Sequence, residues 1–130
     1  MTVLLDTSVI IDLLRERPRW RDFLEEFVRH GHTLACCAVN WAEVYAGMRS
    51  NEAETTADLF SRLEYVQISR EAARGAGELI GKWRRKGKTL NLPDALIGAV
   101  AFSEGLALAT DNVRDFPLPG LKFVSPPRVQ

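Results

Sequence analysis

Asp6 closes the apolar run Thr2-Val3-Leu4-Leu5 and is followed at once by two hydroxyl residues, Thr7 and Ser8. If that run is a central strand of a parallel sheet, the carboxylate stands at its carboxyl end, the edge where open α/β folds bind ligands. Glu43, Asp94, Asp111 and Asp115 each lie close behind another apolar stretch or at the opening of an apolar helix. Gathering such groups is costly, because two unit charges about 4 Å apart repel by roughly 4 kcal/mol at an effective dielectric near 20. Three or four in one pocket must take up protons or hold a cation. Oxygen ligands without clustered cysteine or histidine favour Mg²⁺, with Mn²⁺ as a substitute, over zinc. A centre of that kind suits phosphoryl chemistry, with water activated, phosphate held and the leaving oxygen neutralised during in-line attack. Thr7, Ser8, Thr110 and Asn112 are placed either to orient water or phosphate without adding charge or to cap helices.

Taken singly, three of these acids have plainer roles. Glu43 stands three residues after Asn40, Asp94 three after Asn91 and Asp115 three after Asn112. At that spacing an acid complements the positive end of a helix. Topology argues for more. In a parallel sheet, a helix that follows a strand begins at the strand's carboxyl edge, and so does a helix that leads into the next strand. Glu43 follows the strand ending near Val39, Asp94 opens the helix leading to Leu106, and Asp111 and Asp115 follow the strand ending at Ala109. All are therefore expected on one rim with Asp6.

The elements that must position them alternate between strand and helix. Residues 9–15 have helical spacing behind a Thr7 or Ser8 cap. Pro18 opens a second helix with the stripe Trp20, Phe23, Leu24, Phe27 and Val28, closed by Gly31. Residues 33–39 are apolar throughout, as in a strand covered on both faces. Asn40 is expected to end that strand and cap a helix marked by Trp41, Val44, Tyr45 and Met48. Most of the aromatic residues on these early helices read as core, with a groove for an amphipathic partner helix as the alternative. A polar break at 50–54 leads to a short helix with Ala57, Phe60 and Leu63. Residues 65–68 read as a strand, and Ser69 as the cap of a helix carrying Ala72, Ala76, Leu79, Ile80 and Trp83 on one face. Asn91 precedes a nearly all-apolar helix that should be buried. Residues 106–109 form a strand, 110–116 a polar loop with one helical turn, 121–124 an edge strand and 125–130 an irregular tail.

Seventeen basic and seventeen acidic residues cancel, so attraction to nucleic acid must come from local patches. The basic run Lys82-Trp83-Arg84-Arg85-Lys86-Gly87-Lys88 suits a helix carboxyl terminus, with an RNA phosphate contact as the functional alternative. Cys36 and Cys37, the two cysteines of the chain, are neighbours whose side chains would point to opposite faces of a strand. They read as buried fillers rather than a disulfide or metal site. His30 and His32 flank Gly31 and read as solvated. No apolar run approaches bilayer length, and Met1-Thr2-Val3 lacks the pattern of a signal peptide. The expectation is a cytoplasmic protein with no membrane association, a single α/β domain over residues 1–130 with helices on both faces of a parallel sheet.

Four segments, in order, resemble one known family. Leu5-Asp6-Thr7-Ser8-Val9-Ile10-Ile11-Asp12, Trp41-Ala42-Glu43 with Gly47, Leu92-Pro93-Asp94-Ala95-Leu96-Ile97, and Thr110-Asp111-Asn112-Val113-Arg114-Asp115-Phe116 look like the successive motifs of PIN-domain ribonucleases. The likeness is strongest to the VapC toxins of bacterial VapBC toxin–antitoxin systems. That resemblance implies an α/β/α sandwich with a five-stranded parallel sheet ordered 3-2-1-4-5 and Mg²⁺-dependent endoribonuclease activity on transfer or ribosomal RNA. It also implies homodimers and inhibition by a cognate VapB antitoxin. By motif position, Asp6, Glu43, Asp94 and Asp115 match the family's acidic quartet. Asp6 and Asp94 are its metal ligands, while Glu43 and Asp115 position a water or a second ion. Asp111 is the alternative to Asp115, with Asn112 holding water or metal. Arg15, Arg17, Arg84 and Arg85 are candidate RNA contacts. An aspartyl-nucleophile phosphatase would carry a second aspartate where Ser8 stands, and a non-catalytic binding module would lack key acids that are all present here.

Overall fold

The structure, a computed structural model, describes residues 1–127. Short apolar runs form five strands, β1 (Thr2–Leu5), β2 (Thr33–Cys37), β3 (Glu64–Val66), β4 (Ala107–Ala109) and β5 (Phe123–Val124). Every neighbouring pair is parallel, in the order β3-β2-β1-β4-β5. This is the order that the family resemblance implied. The chain winds outward from β1 in one direction through β2 and β3, then crosses back to place β4 on the other side. The crevice of an open α/β sheet lies at that reversal, outside the carboxyl ends of β1 and β4.

Six helices fill the outer layers: α1 (Thr7–Leu14), α2 (Pro18–Arg29), α3 (Ala38–Gly47), α4 (Ala53–Ser61), α5 (Arg70–Arg85) and α6 (Leu92–Ser103). Alternation along the strands divides the core in two. Val3, Leu5, Cys36 and Ala109 pack with Val9 and Ile10 of α1, Trp20 and Leu24 of α2, Val44 of α3 and Phe60 of α4. Leu4, Ala35, Cys37 and Leu108 face the other way, toward Ala72 and Ala76 of α5 and the buried side of α6. Cys36 and Cys37 thus enter opposite layers as free thiols, and burial pushes both above the ordinary cysteine range.

α6 is buried along Ala95, Ile97, Gly98, Ala99, Val100 and Ala101. Burying side chains the size of Ile97 and Val100 contributes about 1.5–3 kcal/mol each. Gly98 is needed for the close fit, since a Cβ there would come within 3.0 Å of Leu118 and 3.3 Å of Phe116. Asn91 caps this helix as expected, its side chain accepting from the Asp94 N–H at 2.9 Å. Ser69 caps α5 in the same way through the Ala72 N–H.

Several boundaries differ from the sequence reading. β2 stops at Cys37, and α3 begins at Ala38, so Asn40 lies inside the first turn rather than at the cap. Its side-chain oxygen reaches back to accept from the Cys37 N–H at 2.8 Å, which lets the helix start early. Asp6, not Thr7 or Ser8, occupies the cap position of α1. The break at 50–54 contains a 3₁₀ turn, Ser50–Glu52, leading directly into α4. β3, β4 and β5 are shorter than expected, and β3 stops at Val66 because its partner β2 ends at the paired Cys37. Trp41 and Tyr45 are more than a third exposed and stack beside Phe60, so they form a surface column rather than core. The expected irregular tail falls partly on residues 128–130, outside the described residues.

Candidate active site

Strand register brings the first acid to the rim. Leu5 pairs with Ala109, so Asp6 and Thr110 are the next residues on adjacent strands, and the Asp6 N–H still donates to the Ala109 carbonyl at 3.0 Å. Asp6 is 6% exposed and Thr110 fully buried. A buried carboxylate requires hydrogen-bond donors. Thr110 Oγ1 donates to Asp6 Oδ2 at 2.7 Å, and Ser8 Oγ donates to the same oxygen at 3.2 Å. The Thr110 hydroxyl in turn accepts from the Asn112 N–H at 2.9 Å, which points its proton at the acid. Asn112 enters this arrangement through its backbone.

A second chain of the same design holds Glu43. The Cys37 N–H donates to Asn40 Oδ1, and Asn40 Nδ2 donates to the Leu5 carbonyl at 3.1 Å and to Thr7 Oγ1 at 3.0 Å. Thr7, having accepted, donates its own proton to Glu43 Oε1 at 2.7 Å. Asn40 is completely buried. The early start of α3 places Glu43 beyond its first turn, so the capping explanation does not apply to it. Sequence reasoning missed Asn40 as a site residue. Its cue was a polar side chain at the end of an unbroken apolar run, read only as a cap.

Asp94 sits in the first turn of α6, where Asn91 Nδ2 donates to its Oδ2 at 2.9 Å. Desolvation raises its pKa above the ordinary 3.8, the Asn91 bond works against this, and the charges of Asp6, Asp115 and Glu43 raise it further. No cation is among the groups acting on it. The four carboxylates therefore share one field, contributed by four separate segments. Among the described residues, no three acidic, histidine or cysteine side chains close into a ready-made metal cage. Asp6 and Glu43 are each held by hydroxyl donors, and their charges, with that of Asp115, reach Asp94. The oxygen-only donor set of the four and the like charges acting on Asp94 suit a hard divalent cation.

The remaining candidates lie elsewhere. Asp111, although next to Thr110, turns toward α2. Arg19 Nη1 donates to its two oxygens at 2.8 and 2.9 Å, and the buried Trp20 donates through Nε1 at 2.8 Å. Asp111→Ala is expected to cost about 1–3 kcal/mol through the stranded indole N–H, measured by thermal melting, and to spare cleavage. Asp115→Asn is expected to lose cleavage instead. Arg17 pairs with Asp12 at 3.6 Å, and Arg84 and Arg85 end α5. His32 lies within 2.9 Å of the amino terminus, apart from the acids.

A parallel sheet with acids near its switch point defines an open α/β fold with an acidic candidate site, and residues 3–117 match the PIN domain, so the chain belongs to the PIN-domain family. Among its relatives, Ribonuclease VapC10 of Mycobacterium tuberculosis is 34% identical over 116 residues, covering 89% of this chain and 86% of the relative. A toxin–antitoxin complex from Klebsiella pneumoniae contains a similar chain, with a TM-score of 0.77 and 29% identity over 98% of this chain and 99% of that one. VapBC2 from Rickettsia felis, bound to a DNA fragment from its promoter, gives a TM-score of 0.80 at 25% identity over 95% and 98% of the two chains.

Proposed function

We propose that this single-domain chain is the toxic endoribonuclease of a VapBC-type toxin–antitoxin pair, acting in the cytoplasm on transfer or ribosomal RNA. The observation that carries the reading is the set of four carboxylates whose charges meet at Asp94, with Asp6 and Glu43 aimed by hydroxyl relays. Asp6 and Asp94 would hold Mg²⁺, for which Mn²⁺ can substitute. When bound, such an ion supplies charge neutralisation at the phosphate and eases deprotonation of water. Thr7 occupies Glu43 Oε1, which leaves Oε2 to orient the attacking water and accept its proton. Asp115, whose charge reaches Asp94, would help to position that water. Attack on the phosphodiester leaves a 5′-phosphate and a 3′-hydroxyl.

The deciding experiment is cleavage of total cellular RNA by purified, antitoxin-free protein with Mg²⁺, with EDTA, and with Asp6→Asn as control. Discrete fragments that require both the ion and Asp6 are the expected result. Ends carrying a 2′,3′-cyclic phosphate would overturn the mechanism, since they arise by attack of the ribose hydroxyl.

Homodimer formation and capture by a VapB-type antitoxin belong to the same proposal. A groove of about 800 Å³ runs beside α1, α2, β2 and α4, with Leu13, Val28 and Leu59 among its apolar residues and Arg21, Glu25 and Arg62 among its charged ones. It contains none of the four acids and suits the apolar face of an amphipathic segment. Val28 is 53% exposed. Val28→Glu is expected to weaken antitoxin binding by about tenfold or more without unfolding the toxin, as read by titration calorimetry. Among the described residues, no helix is long and apolar enough to cross a membrane.

A further inference from the structure

A smaller cavity, about 140 Å³, opens between α1 and α3 with Glu43 in its wall. Ile11, Leu14, Val44 and Met48 supply its apolar surface, and Arg15 stands at its edge. Gly47, a member of the second sequence motif, lines it as well, together with Thr56 and the acid Glu52. Nothing in the fold requires glycine there. Its φ lies outside the left-handed region, and a Cβ at that position would meet no atom within 4 Å. The missing side chain keeps the cavity open. Arg15 is exposed and, among the described residues, forms no ion pair, whereas its neighbour Arg17 is paired with Asp12.

We propose that this cavity receives one unstacked base of the RNA strand, beside the phosphate that is cut, and that Arg15 reads the acceptor edge of that base. The inference rests on the ribonuclease reading above. Sequence-specific recognition of RNA takes bases out of the stack, covering their flat faces with side chains and binding their edges. The cavity has the parts this needs, in a volume far too small for a helix. A guanidinium fork matches the paired acceptors O6 and N7 of guanine better than any other base edge. Because Glu43 belongs to both the cavity wall and the acid cluster, an occupant here is held next to the reacting phosphate. Leu14 also lines the larger groove, so a side chain of the antitoxin is the rival occupant. Arg15, the cationic donor in a wall that also carries the acids Glu43 and Glu52, favours the acceptor-rich base.

The test uses a pool of short single-stranded RNAs of random sequence, with the cut ends sequenced. The intact protein is expected to prefer one base, guanine, at a fixed position beside the cut. Gly47→Leu, which fills the cavity, and Arg15→Gln, which removes the fork, should each reduce that preference by roughly tenfold, the worth of one good base contact. A positional preference identical in all three proteins would overturn the proposal. So would a Gly47→Leu protein that keeps its base preference but escapes inhibition by the antitoxin. A parallel selection from the same pool, bound to the Asp94→Asn protein in EDTA, reads the cavity without cleavage. Base enrichment that disappears with Gly47→Leu supports the cavity even if no RNA is cut, in which case the ribonuclease reading alone fails. Cleavage without base preference has the opposite meaning.

Discussion

Asp94→Asn is expected to abolish RNA cleavage while leaving the metal-free protein at least as stable as before. Several kcal/mol of transition-state stabilisation depend on the ion that Asp94 would hold. At about 1.4 kcal/mol per tenfold, the loss is on the order of a thousandfold. The stability half of the expectation follows from the raised pKa. Burial and the charges of Asp6, Asp115 and Glu43 oppose ionisation more strongly than the Asn91 bond favours it. The unfolded chain therefore releases this proton first. As pH rises from the ordinary value of 3.8 to the higher folded value, the folded state binds more protons and stability falls. Above both values the full cost remains. Asparagine keeps the shape and removes the charge, at the expense of the roughly 0.3–1 kcal/mol that an anion gains near a helix amino terminus. Thermal melts from acid to neutral pH should show the variant gaining on the unsubstituted protein as pH rises. Mg²⁺ should raise the melting temperature of the unsubstituted protein and have little effect on the variant. Undiminished cleavage by a folded Asp94→Asn protein would remove the residue from the scheme.

That expectation was legible because the fold was. Short uninterrupted apolar runs such as Thr33–Cys37 fit strands covered on both faces, and their alternation with amphipathic helices leaves a parallel sheet as the economical arrangement. Once β1, β2 and β4 run the same way, the topological argument places Asp6, Glu43 and Asp94 on one edge before any distance is known. The strand order came from the family resemblance, since hydrophobic pattern alone does not say that β4 returns beside β1.

What remained hidden was set by side-chain partners. Asp111 and Asp115 are equivalent by topology. Only the positions of Arg19 and Trp20, more than ninety residues away in the chain, draw Asp111 out of the cluster. Trp41 and Tyr45 lie on an apolar stripe, yet they pack beside Phe60 and the exposed Tyr65 with more than a third of each residue exposed. Asn40 is the clearest case. Its residue type predicts a cap, and the helix begins three residues earlier, capped at Cys37, because the Asn40 side chain can bond backward to Cys37 and across to Leu5 and Thr7 at once.

Asn40→Leu is accordingly expected to be the most damaging single change in the buried layer beneath the acids. Leucine fills a similar space but strands the Cys37 N–H and the Leu5 carbonyl, each at about 1–3 kcal/mol. The sum, roughly 2–6 kcal/mol, corresponds to a fall in melting temperature on the order of 10 °C for a chain of this size. A purely structural role would stop there. The relay predicts more: without the Asn40 donor, the Thr7 hydroxyl is no longer compelled to face Glu43, and cleavage should fall even at temperatures where the variant is fully folded. Thr7→Val and Thr7→Ser separate the two effects. Valine keeps the shape and removes the bond to Glu43, so kcat should drop while the melting temperature changes less than for Asn40→Leu. Serine restores the hydroxyl and should restore kcat. Full activity in folded Asn40→Leu and Thr7→Val proteins would show that Glu43 needs no orienting bond, and would confine Asn40 to holding β1 against the start of α3.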